Sequence, residues 1–74
     1  MKIMRQEQVA KLREEYPEGT RIMLLKMEDP HTQLKSGDMG NVTHVDDAGQ
    51  IHMFWDNGSS LALIPGEDEF MKLE

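Results

Sequence analysis

The stretch Trp55-Asp56-Asn57-Gly58-Ser59 separates two apolar segments, residues 50–55 and 60–64, and decides the fold. An Asn-Gly pair between apolar segments is a strong signal for a β-hairpin. The length of the loop then decides which side chains share a face, because side chains alternate along a strand and a shift of one residue exchanges the faces. Two registers are therefore possible, and they differ in how well they separate apolar from polar side chains.

A two-residue loop, Asn57-Gly58, leaves both faces of the hairpin half apolar. A three-residue loop that also includes Asp56 places Gly58 at the left-handed bulge position, which glycine occupies without steric cost. It also gathers five apolar side chains on one face: Ile51, Met53, Trp55, Leu61 and Leu63. We therefore predict the three-residue loop, which puts Phe54 on the outer face beside Ala62.

Five short strands are predicted in all, at residues 20–27, 41–45, 50–55, 60–64 and 70–73. The first strand is apolar almost without interruption, which is typical of a strand covered on both faces. In the second strand Val42 and Val45 are three residues apart, and this break in alternation predicts a bulge. The stretches Gly37-Asp38-Met39-Gly40 and Asp46-Asp47-Ala48-Gly49 have the composition of turns. The fold class is therefore mainly β, a small five-stranded barrel.

A short N-terminal α-helix is predicted over residues 4–16, because Val9, Leu12 and Tyr16 recur on one helical face. Pro17 disfavours helical geometry at the preceding residue, so the helix should end near Glu15. So short a helix is marginal alone and must dock on another element. We predict that it covers Phe54, with a partner protein as the alternative cover.

The chain has 74 residues, which is enough for one domain, made of a helix (1–16) and a barrel (17–74). It contains no cysteine, and it has no apolar run of the ~18 residues that a membrane span needs. The expected location is cytoplasmic, without a membrane association. Residues 1–27 carry six cations and four anions, a net +2, and residues 28–74 carry two and ten, a net −8. This sum of −6 favours basic partners over nucleic acid.

Several motifs resemble a small bacterial family of uncharacterised domains found in phage and conjugative elements. They are Tyr16-Pro17-Glu18-Gly19-Thr20-Arg21, Leu34-Lys35-Ser36-Gly37-Asp38-Met39-Gly40 and above all the block Trp55-Asp56-Asn57-Gly58-Ser59-Ser60-Leu61-Ala62-Leu63-Ile64-Pro65-Gly66. The resemblance covers about residues 16–70. It implies an SH3-like barrel and no activity. Proline-rich ligands dock in aromatic-lined grooves, and this chain has few aromatic residues, so that ligand class is not expected.

Candidate chemistry is weak throughout. Three histidines (His31, His44 and His52) and nearby aspartates such as Asp29 lack the spacing of a metal site. Neither Asp46-Asp47 nor residues 67–69 have the pattern of a calcium loop. No serine sits in a strained elbow, and no glycine-rich loop precedes a Lys-Ser/Thr pair. We expect no catalysis, no metal and no cofactor.

The expected function is therefore that of a non-catalytic interaction module, which binds an unknown and basic protein or peptide through the loops 28–37 and 46–50 and an aromatic edge. The candidate partner-binding residues are Phe54, Trp55, Tyr16, Asp46 and Asp47, although for Trp55 a place in the core is favoured. One alternative is a barrel that binds nucleic acid through Arg5, Lys11, Arg13, Arg21 and Lys26; another is an acidic DNA mimic. A monomer is the default, and a homodimer through the Phe54 face is the alternative.

Overall fold

The computed structural model describes residues 4–27 and 33–73. It contains one helix, α1 (Gln6–Glu15), and four strands: β1 (Arg21–Lys26), β2 (Met39–Val45), β3 (Ile51–Trp55) and β4 (Glu69–Lys72). The strands are antiparallel and form one sheet in the order β3-β2-β1-β4. The prediction of a mainly β fold with a short N-terminal helix is confirmed. The predicted five-stranded barrel is wrong, because the sheet that the described residues form has four strands and is not closed.

The three-residue turn at Asp56-Asn57-Gly58 is confirmed. The Trp55 N–H donates to the Ser59 carbonyl at 2.9 Å, and Gly58 has a φ of +92°, which favours glycine. Ile51 and Leu63 exchange both backbone hydrogen bonds, at 2.9 and 2.8 Å. This pairing is the predicted register. Phe54 consequently points outward, with 60% of its side chain exposed.

The predicted fourth strand, residues 60–64, is reduced to the single bridge between Ile51 and Leu63. The interruption occurs at Leu61, whose N–H donates to Ser59 Oγ at 3.3 Å and whose carbonyl accepts from Trp55 Nε1 at 2.8 Å. Side chains thus satisfy the backbone groups that the ladder to Met53 would have used. Pro65, which has no N–H to donate, ends the segment. Leu61, predicted to face the core, is 36% exposed.

The bulge predicted from the spacing of Val42 and Val45 is also confirmed. Pairing between β2 and β3 shifts by one residue between Val42 and His44. The extra residue, Thr43, restores the inward direction of Val45, so both valines are buried. A different result holds for β1, where Leu25 is 42% exposed and only alternate residues are buried, so the prediction that both faces are covered is wrong.

Gly40, predicted to lie in a turn, is a buried residue of β2. It lies opposite Trp55 on one side and Ile22 on the other. A Cβ at this position would come within 2.8 Å of the Phe54 carbonyl oxygen and of Trp55 Cα, and within 3.0 Å of Trp55 Cε3. The glycine therefore makes room for the indole ring, which a reading of turn composition could not reveal.

The helix ends at Glu15 as predicted, and it docks, but not on Phe54. Val9 is fully buried, and Leu12 and Tyr16 pack against the same core. Arg13 fastens the helix to the β2–β3 hairpin, donating to the Val45 carbonyl at 3.1 Å and pairing with Asp47 at 2.8 Å. The helix therefore lies on the inner side of the sheet, and the core is shared by both: Val9, Ile22, Leu24, Leu34, Val42, Val45, Ile51, Met53, Trp55 and Leu63.

Candidate functional site: the outer face of the sheet

The outer face of the sheet, opposite the helix, carries two rows of side chains in register. One row contains Phe54, Asn41 and Arg21, which lie on β3, β2 and β1 respectively. The other contains Met39, Met23 and Met71, which lie on β2, β1 and β4. Phe54 is diagonal to Met39, a separation of about 7–8 Å that aromatic and long side chains span. We call Phe54, Met39, Met23 and Met71 the outer patch.

A fixed ion pair crosses this face. Arg21 on β1 reaches over β2 to Asp56 at the end of β3, and the Nη1–Oδ1 distance is 2.8 Å, with a second bond between Nη2 and Oδ2. The same guanidinium donates to Asn41 Oδ1 at 3.3 Å. The hydrogen bond from Arg21 lowers the pKa of Asp56, and in turn raises the pKa of Arg21. The pair therefore stays ionised, and it sets a polar centre beside the apolar outer patch.

Two histidines border the face at the other end of the β2–β3 pair. His44 and His52 are directly opposite each other, and their rings are stacked with centroids 4.3 Å apart and 6° between planes. His52 Nε2 lies 2.8 Å from Asp46 Oδ2. Within residues 4–27 and 33–73, no three His, Cys, Asp or Glu side chains are grouped so that they could hold a metal ion. His31 and Asp29 of the sequence analysis lie outside the described residues.

Asp46 is first of all a turn residue. Its Oδ1 accepts the N–H groups of Ala48 at 3.0 Å and Gln50 at 2.9 Å, which closes the β2–β3 hairpin. The hydrogen bond from His52 is the main cause that lowers the pKa of Asp46, while partial burial acts in the opposite direction. The carboxylate thus joins the turn to the histidine stack.

The five candidate partner-binding residues do not form one surface. Phe54 lies on the outer face, and Asp46 borders it. Trp55 is fully buried on the inner face, so it has no surface with which to contact a partner. Tyr16 packs edge-on against Phe70, with ring centroids 5.9 Å apart, and burial raises the pKa of its hydroxyl. Asp47 pairs with Arg13 on the helix side.

The cations proposed for nucleic acid are divided between two elements. Arg13 and Arg21 each pair with a carboxylate, so two of the five cations are already neutralised. Of the loop predicted to bind at 28–37, residues 28–32 lie outside the described part of the chain. The sequence analysis missed the Arg21–Asp56 pair and the methionine row, because both depend on pairings between strands far apart in the sequence.

Residues 5–73 match the model of the family described as domain of unknown function DUF4314. The chain therefore belongs to this family, and the predicted resemblance to an uncharacterised domain family is confirmed. Neither a curated protein nor a solved structure gives a significant match to the chain. No helix in the described ranges is long and apolar enough to cross a membrane.

Exchanging the Asp46 carboxylate should separate its two roles. Asp46→Asn keeps an oxygen for the turn but removes the charge that His52 contacts. Because the folded-state pKa of Asp46 is lowered, its carboxylate stabilises the fold above its unfolded pKa of about 4, and this contribution is lost as the pH falls through the folded pKa. In urea unfolding, Asp46→Asn should therefore have a lower free energy of unfolding than wild type at pH 7. The difference should decrease as the pH is lowered.

Asp46→Ala is the matched control for this experiment. It also removes the acceptor for Ala48 and Gln50, which should cost about 1 kcal/mol at every pH. A gap between Asp46→Asn and wild type that is the same at pH 7 and pH 3 would contradict the assignment.

Proposed function

We propose that this domain is a non-catalytic protein-binding module and that its contact surface is the outer face of the sheet. The observation that carries the proposal is the position of Phe54: it is 60% exposed near the end of β3, on the side away from the helix. The hairpin register already holds this aromatic side chain outward. Binding therefore has little conformational freedom left to remove. Such rigid aromatic side chains are frequent anchors of interfaces.

The surroundings of Phe54 support the same proposal. Met71, at the other side of the face, is 45% exposed, and Met23 and Met39 between them are half-buried. Methionine and arginine are enriched in protein interfaces, and methionine adapts to partners of different shape. The Arg21–Asp56 pair adds fixed hydrogen-bonding groups beside these apolar side chains. A partner that presents apolar side chains together with hydrogen-bonding groups would match this arrangement.

The net charge of −6 supports a basic partner. A cytoplasmic location, together with the bacterial and mobile-element setting of the family that the sequence resembles, is part of this proposal. Binding of nucleic acid through the cations of α1 and β1, and inhibition by DNA mimicry, are the competing functions that the experiment below distinguishes.

Phe54→Ser tests the proposal. A specific partner is first captured from native cells on the immobilised domain. It should bind the variant about 30-fold more weakly than wild type, as expected for loss of an interface hot spot of about 2 kcal/mol. Leu61→Ser is the matched control, since Leu61 is also an exposed large apolar residue, at 36%, but is not part of the outer patch. Buried Trp55 reports by its fluorescence that each variant is folded.

Three outcomes would contradict the proposal. Retention of the partner at the wild-type affinity by folded Phe54→Ser would exclude the outer patch. Recovery of nucleic acid whose affinity falls steeply with salt would favour the first competing function. Capture of a DNA-processing enzyme that added DNA releases would favour the second.

A further inference from the structure

Strand β4 forms one edge of the sheet, and its hydrogen-bonding geometry shows which of its groups are turned outward. Leu73 N–H donates to the Arg21 carbonyl at 2.8 Å, and Met71 is paired with Met23, so Met71 and Leu73 bond toward β1. Antiparallel strands alternate in this respect. The N–H and C=O groups of Phe70 and Lys72 therefore point away from β1, and no other strand of the described residues pairs with that edge.

Strand β4 carries a lysine, but this lysine does not guard the edge against added strands. Natural edges are often guarded by lysine side chains that project beside the strand. Lys72 does not serve in this way, because its ammonium is 2.9 Å from the Glu15 carbonyl and 5.3 Å from the centre of the Tyr16 ring. The side chain is directed to the helix, and the backbone of β4 beside it stays available.

The charge around β4 indicates what kind of strand would fit. At the start of β4 there are three carboxylates in succession, those of residues 67–69. At the end of β4, Lys72 contacts the carboxyl-terminal end of α1, which contains Glu14 and Glu15. Helix carboxyl termini also carry partial negative charge. The nearby cations are Lys72, engaged by the helix, Lys26, which lies opposite Glu69, and Arg21, which lies opposite Leu73 and is paired with Asp56. The balance is acidic, so a basic segment is complementary, whereas a second copy would bring the same net −6.

We propose that the open edge of β4 accepts an extended, lysine- or arginine-rich segment of the partner as an added strand. This deepens the proposed function and rests on it. The backbone of the segment bonds to the N–H and C=O groups of Phe70 and Lys72, in the manner of β-strand addition. Its side chains alternate: those on the outer face contact Glu69 and Met71, the residue of the outer patch that lies on β4, and basic ones meet the carboxylates of residues 67–69.

Proline at position 72 tests the edge directly. Lys72→Pro removes an outward N–H and no hydrogen bond to β1, whereas Lys72→Ala removes the same side chain and keeps that N–H. The probe is a labelled eight-residue peptide of alternating lysine and valine, followed by fluorescence anisotropy. Wild type and Lys72→Ala should bind within about 3-fold of each other, and Lys72→Pro at least about 10-fold more weakly. Affinity should fall as salt rises, and a glutamate-valine peptide should not bind.

Amide hydrogen exchange in the wild-type protein gives a test that needs no variant. Saturation with the lysine-valine peptide should slow exchange at Phe70 and Lys72 and leave Met71, already bonded to β1, nearly unchanged. Equal binding by Lys72→Pro and Lys72→Ala, or slowing confined to other amides, would overturn the inference. So would absence of peptide binding together with self-association that Lys72→Pro abolishes, because the occupant would then be a second copy.

The two proposals can fail separately. If Phe54→Ser loses the native partner but the peptide does not bind the β4 edge, the proposed function stands and this inference is wrong. If the peptide protects the β4 edge but Phe54→Ser keeps its native partner, the edge inference stands and the outer patch is not the contact surface.

Discussion

Trp55→Ala is expected to cost about 3–5 kcal/mol of stability, the range for removal of a large buried aromatic side chain. Trp55 is the largest fully buried side chain, and its indole N–H also holds the Leu61 carbonyl at 2.8 Å. The substitution thus opens a cavity and releases the segment that borders β3. At about 0.05–0.15 kcal/mol per residue, a domain of this length is stable by only about 4–11 kcal/mol, so the substitution should remove at least about a quarter of its free energy of unfolding.

The measurement is urea unfolding followed by far-ultraviolet circular dichroism. Tryptophan fluorescence cannot be used, because Trp55 is the one tryptophan of the chain and the substitution removes it. Phe54→Ala is the matched control: it removes an aromatic ring from the next residue, but one that is 60% exposed, and should cost less than about 1 kcal/mol. Trp55→Phe should fall between, at about 2 kcal/mol, and should speed amide exchange at Leu63. Equal losses for Trp55→Ala and Phe54→Ala would contradict the assignment of Trp55 to the core.

Gly40→Ala is expected to cost about 3 kcal/mol, although alanine normally suits a strand better than glycine does. The added Cβ would lie 2.8 Å from the Phe54 carbonyl oxygen and from Trp55 Cα. Both atoms belong to the backbone of β3, so a side-chain rotation cannot relieve the contact. The strands β2 and β3 must separate locally, and the indole, whose Cε3 would be 3.0 Å away, loses its position.

Thermal unfolding should show this loss as a lowered Tm. Asn41→Ala, the next position on the same strand but exposed on the outer face, removes only the 3.3 Å hydrogen bond from Arg21 and should change the stability by no more than about 1 kcal/mol. A Gly40→Ala variant as stable as Asn41→Ala would mean that the ring does not lie over β2 as described.

The sequence was sufficient where one local pattern decided the outcome. Segregation of side chains fixed the loop at Asp56-Asn57-Gly58 and predicted that Phe54 points outward. The spacing of Val42 and Val45 predicted the bulge, and Pro17 predicted the end of the helix. In each case the determining interaction lies within a few residues, and alternation or helical periodicity reports it directly.

Prediction failed where a side chain from elsewhere decided the outcome. Residues 60–64 have the pattern of a strand, but the Trp55 indole takes the Leu61 carbonyl away from the ladder. Gly40 is the last residue of a turn-like sequence. Only the pairing of β2 with β3 shows that the Trp55 ring requires a glycine at this position. The helix carries the expected apolar stripe, but the contacts of Arg13 with Val45 and Asp47 draw it to the inner side. None of these long-range contacts leaves a periodic signal.

The position of β1 between β2 and β4 also has a consequence for synthesis on the ribosome. β1 is the first strand to emerge, but one of its two edges is completed only by residues 69–72. Until those residues have left the exit tunnel, β1 exposes unpaired backbone and half of its cross-strand neighbours are absent. Nascent chains whose residues 69–72 are still inside the tunnel should therefore remain unfolded, and folding of this domain should follow its translation rather than accompany it.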